Sequence, residues 1–313
     1  MFIDLVLIFL SLFLLYYGGD FLVTGSLRLA QVLRVSPFII GATVMGFGTS
    51  TPELAISAIA SLQGSEDLAL GNIIGSNIAN IGLVLGLTAL IIPLTIDKQR
   101  FLDESPSLLI ASLIIVTFSW NNYLSRTEGF IMVSLLIVYL WRALRSKEIT
   151  GASLEDINLF SKYKRTSFQI GLVTIGIAML VIGANCMVEG ATNIARNLGV
   201  SEWLIGISIV ALGTSLPELT SSIIAAKKGH GEMAIGNVFG SNIFNILMVI
   251  GTVSLIKPLT IDEEIYIDLI YAAVLTCLLL ILIRMGYVIR KRDGIILTIL
   301  YGSYLGLKGT GLF

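Results

Sequence analysis

Glu53 and Glu218 stand inside long apolar stretches, and each closes the same short string: Gly48-Thr49-Ser50-Thr51-Pro52-Glu53 and Gly213-Thr214-Ser215-Leu216-Pro217-Glu218. A carboxylate at membrane depth costs at least about 3 kcal/mol on insertion scales, and such a residue is by default a sign of function. Proline lacks a backbone N–H and clashes with the preceding turn. Pro52 and Pro217 should therefore free carbonyls near Gly48 and Gly213, where glycine is expected to let the backbone bend further. Irregular backbone survives at that depth only when buried in protein or lining a polar cavity. A freed carbonyl beside Thr, Ser and Glu oxygens is a ready ligand for a cation, whose charge would offset the cost of the carboxylates.

Other oxygen donors recur around these strings: the hydroxyls of Thr49, Ser50, Ser76, Thr214, Ser215 and Ser241, and the amides Asn80 and Asn245. No His or Cys joins them. An all-oxygen set disfavours zinc, copper or iron and suits sodium, calcium or other hard ions, and calcium takes about six to eight oxygens. Each feature also has a plainer reading. Gly71-x-x-x-Gly75 and Gly236-x-x-x-Gly240 are patterns that let helices approach closely, a lone Ser or Thr in a span usually bonds its own backbone, and a proline can simply kink a helix. Asp20 and Glu189 read as interfacial, His230 as a surface residue, and Cys186 and Cys277 as buried, inert thiols.

The elements that must hold these residues are membrane helices. The chain has 313 residues, 55% hydrophobic and 13% charged, with mean hydropathy +0.91, whereas soluble domains carry about 25% charged residues. Apolar runs long enough to span fall near 2–24, 36–62, 68–93, 106–120 and 128–144, then 168–194, 202–226, 233–256, 265–283 and 293–311. Long runs rather than alternating ten-residue segments predict an all-α integral membrane protein and not a barrel. The first run has no basic start and no A-x-A site after it, so it reads as a spanning helix rather than a signal peptide. Nothing gathers the basic residues into a nucleic-acid surface. Placing them in alternate loops puts all but Arg126, Arg196, Lys257 and Lys308 of the 20 Lys and Arg on one side, which makes that side cytoplasmic and both termini external.

The motifs also repeat in register. The 165-residue offset that relates Asn77 to Asn242 also relates Glu53 to Glu218, Gly71-Asn72 to Gly236-Asn237 and Pro93-Leu94-Thr95-Ile96-Asp97 to Pro258-Leu259-Thr260-Ile261-Asp262. The expected organisation is ten transmembrane helices as two inverted five-helix repeats, 1–144 and 168–313, joined by a cytoplasmic linker at 145–167. An odd number of crossings per repeat forces the inversion. Inverted repeats with interrupted helices are the architecture of secondary transporters, whose sites form near the midplane where the copies meet.

At these residues the chain resembles the sodium/calcium exchanger branch of the cation/calcium exchanger superfamily, over nearly its whole length; G-T-S-x-P-E followed by G-S-N-x-x-N is specific to it. The resemblance implies that Glu53, Glu218 and the Thr49 and Thr214 carbonyls hold calcium. It implies that sodium uses Ser50, Ser76 and the Gly46 carbonyl in one half, and Ser215, Ser241 and the Ala211 carbonyl in the other. Thr49, Glu53, Thr214 and Glu218 are shared with calcium, and Asn80 and Asn245 stand at the centre. It further implies exchange that moves net charge, with helices one and six sliding against two, three, seven and eight. Relatives that co-transport potassium, and some prokaryotic members, carry an acid where this chain has Asn245; with amides at both Asn80 and Asn245 the site has two formal negatives instead of three, so potassium independence is expected. The linker is too short for the calcium-sensing domains of animal exchangers.

The alternatives are a calcium/proton antiporter, whose relatives show G-N-x-x-E in place of G-T-S-x-P-E, and, from other classes, a cation channel or a membrane enzyme. A channel would gather its acids by oligomerisation, and no HExxH or GxSxG supports hydrolysis. The expected cargo is Ca2+ and Na+, with membrane lipid the other partner, no cofactor and no obligate protein partner. Short loops and tails suggest a prokaryotic plasma membrane.

Overall fold

Two glycine-studded helices of equal length frame the molecule, α1 (Phe2–Leu33) and α9 (Thr166–Asn197), each of 32 residues. At 1.5 Å per residue each is about 48 Å long, more than the hydrocarbon thickness of a bilayer. They lie antiparallel with backbones nearly touching: a Cβ on Gly18 would stand 2.9 Å from the Leu180 nitrogen, and one on Gly176 2.6 Å from the Leu22 nitrogen. Small residues allow that approach. The coordinates, a computed structural model, describe residues 2–145, 166–199 and 211–309; the 146–165 portion of the expected linker lies outside them.

The stretch expected as one span at 36–62 is a chain of pieces: α2 (Pro37–Ile40), a π turn (Gly41–Met45), α3 (Gly46–Thr49) and, after a break at Ser50, α4 (Thr51–Leu62). After α5 (Glu66–Ala79) comes a second π turn (Asn80–Leu85) and α6 (Gly86–Ile91); α7 (Lys98–Phe118) and α8 (Arg126–Arg145) complete the first half. The described part of the second half repeats the pattern: α10 (Ala211–Thr214), a break at Ser215, α11 (Leu216–Lys227), α12 (Gly231–Ile243), a π turn (Phe244–Ile250), α13 (Gly251–Ile256), α14 (Glu263–Arg284) and α15 (Lys291–Gly309).

Seven helices among the described residues are long and apolar enough to cross a membrane. The other three expected spans are 36–62, whose pieces are short, 202–226, of which 202–210 lies outside the described residues, and α15, which begins Lys291-Arg292-Asp293. Burial singles out two central elements: Glu66–Ile91 is 78% buried and Gly231–Ile256 83%, against 28% for α1. A helix in lipid need not hide apolar side chains, so only a central one is buried on all sides.

The halves are stitched together at their edges. Strand β1 (Leu94–Thr95) pairs antiparallel with β4 (Val288–Ile289), and β2 (Tyr123–Leu124) with β3 (Leu259–Thr260). The repeated Pro-Leu-Thr string thus forms a strand twice, each time paired with a strand of the other half. Past β1, the Asp97 carboxylate accepts a hydrogen bond from the Arg100 nitrogen at 3.0 Å and caps α7. An N-cap of this kind contributes about 1 kcal/mol. Asp97→Ala should lower the thermal unfolding midpoint of the purified protein, read by circular dichroism, whereas Asp262→Ala, whose side chain makes no such bond, should lower it less.

Candidate cation site

At the first break Ser50 adopts φ −85° and ψ 0°, Pro52 stands at the start of α4, and Glu53 lies in its first turn. The second break copies it: Ser215 has φ −91° and ψ 2°, Pro217 opens α11, and Glu218 lies in the first turn. A proline is well placed there because its missing N–H has no intrahelical partner in any case. A carboxylate in the first turn meets the positive end of the helix dipole. Gly48 and Gly213 have ordinary negative φ, so the bending ascribed to them is not their role. A Cβ on Gly48 would stand 2.3 Å from Ile177 Cδ1, and one on Gly213 2.0 Å from Val188 Cγ2; glycine lets α9 close over both breaks.

Both glutamates are completely buried, and none of their four carboxylate oxygens has a hydrogen-bond partner. The hydroxyl oxygens of Ser76 and Ser215 and the amide oxygens of Asn80 and Asn245 are also buried without a partner. Buried polar atoms are nearly always paired, and these lie on elements that pack together, the turn of Asn80 against α11 and the turn of Asn245 against α4, so the bare carboxylate, hydroxyl and amide oxygens point to a ligand that supplies positive charge. No group of three or more His, Cys, Asp and Glu stands together among the described residues; the unpartnered atoms named above are carboxylate, hydroxyl and amide oxygens.

The expected ligands do not group by half. Ser241, of the second half, lies against the first: its hydroxyl is 3.1 Å from that of Thr49, and its carbonyl accepts from Ser50 Oγ at 3.4 Å. A Cβ on Gly46 would lie 2.8 Å from the Ser241 nitrogen. Gly46, Thr49, Ser50 and Ser241 therefore form one cluster. Thr49 also donates to the Met45 carbonyl at 3.1 Å, the plain backbone bond of an in-span hydroxyl. Ala211 and Thr214 delimit α10, which packs against α5, the helix of Ser76.

The glycine patterns do pack helices. Gly236 and Gly240 press on the Phe38 and Ala42 carbonyls, bringing α12 against the first π turn, while Gly71 and Gly75 meet no described atom within 4 Å. Asp20 is ion-paired with Lys228 at 2.6 Å and Glu189 is exposed. His230 is half-buried rather than on the surface; desolvation, and then Lys228, hold its pKa below the ordinary range. Cys186 and Cys277 are free thiols but only half-buried, because their helices face outward.

Sequence reasoning missed a supporting layer. Asn237 Nδ2 donates to Ser221 Oγ at 3.1 Å and Ser222 Oγ at 3.0 Å, and reaches the Glu218 carbonyl at 3.4 Å; Asn72 donates to Ser57 at 3.0 Å. These amides pin the glutamate-bearing helices to the central ones. Their recurrence at the common offset was the available signal. Asn77 and Asn242 were missed in the same way.

Interrupted helices closing around a buried, acid-bearing set of bare oxygens define an ion-handling integral membrane protein. The sodium/calcium exchanger protein model matches residues 3–145 and 168–309, and the chain belongs to that family. It is 32% identical over 341 residues to the sodium/calcium exchanger MaX1 of Methanosarcina acetivorans, covering 97% of each chain. It is 36% identical over 266 residues to the inner membrane protein YrbG of Escherichia coli, covering 83% of this chain and 82% of YrbG. A solved structure of the sodium-calcium exchanger NCX_Mj, soaked with Na+ and Sr2+, superposes with TM-score 0.84 at 36% identity, covering 97% of this chain and 98% of that one. The family makes this chain a cation/calcium exchanger.

Proposed function

We propose that the protein is a secondary antiporter that exchanges sodium for calcium. Glu53 and Glu218 are the charged ligands, helped by the Thr49 and Thr214 carbonyls for calcium. Gly46, Ser50, Ser76, Ala211, Ser215 and Ser241 complete smaller oxygen cages for sodium, with Asn80 and Asn245 at the centre. The observation that carries this reading is the pair of buried carboxylates, one from each half, with all four oxygens unpartnered. Two negatives balance one divalent ion, and sodium ions in adjacent cages compete for the same two charges. That competition couples the flows.

In this reading the chain makes ten crossings as two inverted repeats, 1–144 and 168–313, with 145–167 in the cytoplasm and both termini outside, in a prokaryotic plasma membrane. Exchange moves net charge. With amides rather than acids at Asn80 and Asn245 the site has no third negative to attract potassium, so potassium is not required.

The test is calcium-45 uptake into proteoliposomes. An outward sodium gradient should drive it, a valinomycin-set potential should change its rate, and in the absence of valinomycin external potassium should leave it unchanged. Uptake driven by a pH gradient alone would replace this reading with calcium/proton exchange.

A further inference from the structure

Four asparagines form an open chain of hydrogen bonds across the two halves. Asn80 Nδ2 donates to Asn242 Oδ1 at 3.1 Å, and Asn245 Nδ2 donates to Asn77 Oδ1 at 3.0 Å. Because Asn77 and Asn80 correspond to Asn242 and Asn245 at the common offset, these two bonds are equivalents of each other. A third bond breaks the equivalence: Asn242 Nδ2 donates to the Asn77 backbone carbonyl at 3.3 Å. All four side chains are buried, at most 5% exposed.

We infer that Asn77 and Asn242 are positioning residues that decide which end of the central amides faces the ion. An amide can present either its oxygen or its NH2, and the two ends have nearly the same shape. A backbone carbonyl only accepts, so the Asn77 carbonyl fixes Asn242 with its nitrogen toward it. The Asn242 oxygen is then left to accept, and only the Asn80 NH2 can supply that proton. Asn80 Oδ1 is consequently turned to the other side. Asn245 has no such backbone anchor; its nitrogen donates to the side-chain oxygen of Asn77, which leaves its own oxygen on the other side. Both released oxygens, Asn80 Oδ1 and Asn245 Oδ1, are buried and bond to nothing. The π turn carrying Asn80 packs against α11, which bears Glu218, and the π turn carrying Asn245 packs against α4, which bears Glu53. The network thus leaves two acceptors unpartnered on the turns that pack against the glutamate-bearing helices, and it engages the two donors, which would repel a cation, in its own bonds.

This inference rests on the exchange reading for its assay but not for its logic. The decisive comparison uses a carboxylate, whose two oxygens are equivalent and leave nothing to orient. Asn77→Leu removes the side-chain acceptor of Asn245 while keeping the backbone carbonyl that sets Asn242. It should raise the KM for calcium in sodium-driven flux about 10-fold, the scale of one buried group left unpaired. In an Asn245→Asp background the same Asn77→Leu change should shift KM less than about 2-fold. An equal rise in both backgrounds, or no rise in either, would overturn the inference, since a purely structural role would not depend on residue 245. If Asn77→Leu does not fold, Asn242→Leu with and without Asn80→Asp gives the mirror comparison. If wild-type flux proves not to be sodium-driven, the exchange reading fails by itself, and calcium Kd from titration calorimetry on the same proteins carries the comparison instead.

Discussion

Glu218→Gln will abolish sodium-driven calcium flux, to below about 1% of wild type, while the protein still purifies as a folded species. The neutral amide leaves a divalent ion facing one negative charge instead of two. Two unit charges near 4 Å attract by about 4 kcal/mol at the effective dielectric that describes such sites, so even half of the divalent ion's charge accounts for about a 1,000-fold loss of affinity. Folding moves the other way, because removing a buried charge from a membrane span removes a desolvation cost. The carboxylate makes no hydrogen bond that the amide would break. The thermal midpoint without calcium should therefore match or exceed that of wild type, and the stabilisation that calcium confers on wild type should vanish. Glu53→Gln should behave alike, since its environment is the equivalent one. Flux within tenfold of wild type in either variant would remove these residues from the site.

That expectation could be formed before any coordinates, because the glutamates announce themselves chemically: a charge amid hydrocarbon, beside a proline, twice. The oxygen inventory was legible for the same reason. What could not be read was which half each ligand serves. Ser241 shares a string with Asn245 in sequence, yet in space its hydroxyl meets Thr49, because the halves interlock instead of stacking side by side. The π turns at 41–45, 80–85 and 244–250 leave no mark in hydrophobic pattern, since a wider turn changes register by a fraction of a residue spacing. Asn77 looked like any polar residue in a span because its use depends on partners that lie 165 and 168 positions away. The C-terminal end of α1 also differs from the expected span. Arg28 lies inside that helix, buried, where counting apolar residues had stopped the span at 24.

Gly240→Ala, a change of one methyl group, should impair both folding and flux. The added Cβ would stand 2.2 Å from the Ala42 carbonyl oxygen and 2.6 Å from both its carbonyl carbon and its Cα. All three are backbone atoms of the first π turn, so no side chain can swing aside. Relief requires α12 and that turn to part by about 1 Å, and overpacking of this kind costs about 1–3 kcal/mol. The displacement is applied next to Ser241, which faces Thr49 and Ser50, so the oxygen cluster opens even where the fold survives. The expected result is a lower yield of monodisperse protein, a depressed thermal midpoint, and flux per folded molecule reduced at least about tenfold, because misplacing a group by 1 Å can cost that much or more. Gly302→Ala provides the contrast. Its Cβ would meet nothing within 4 Å on an exposed helical face, where alanine is favoured over glycine by up to about 1 kcal/mol, so stability and flux should hold. Equal tolerance of both changes would mean that α12 and the π turn are not in the tight contact that aligns Ser241 with the first break.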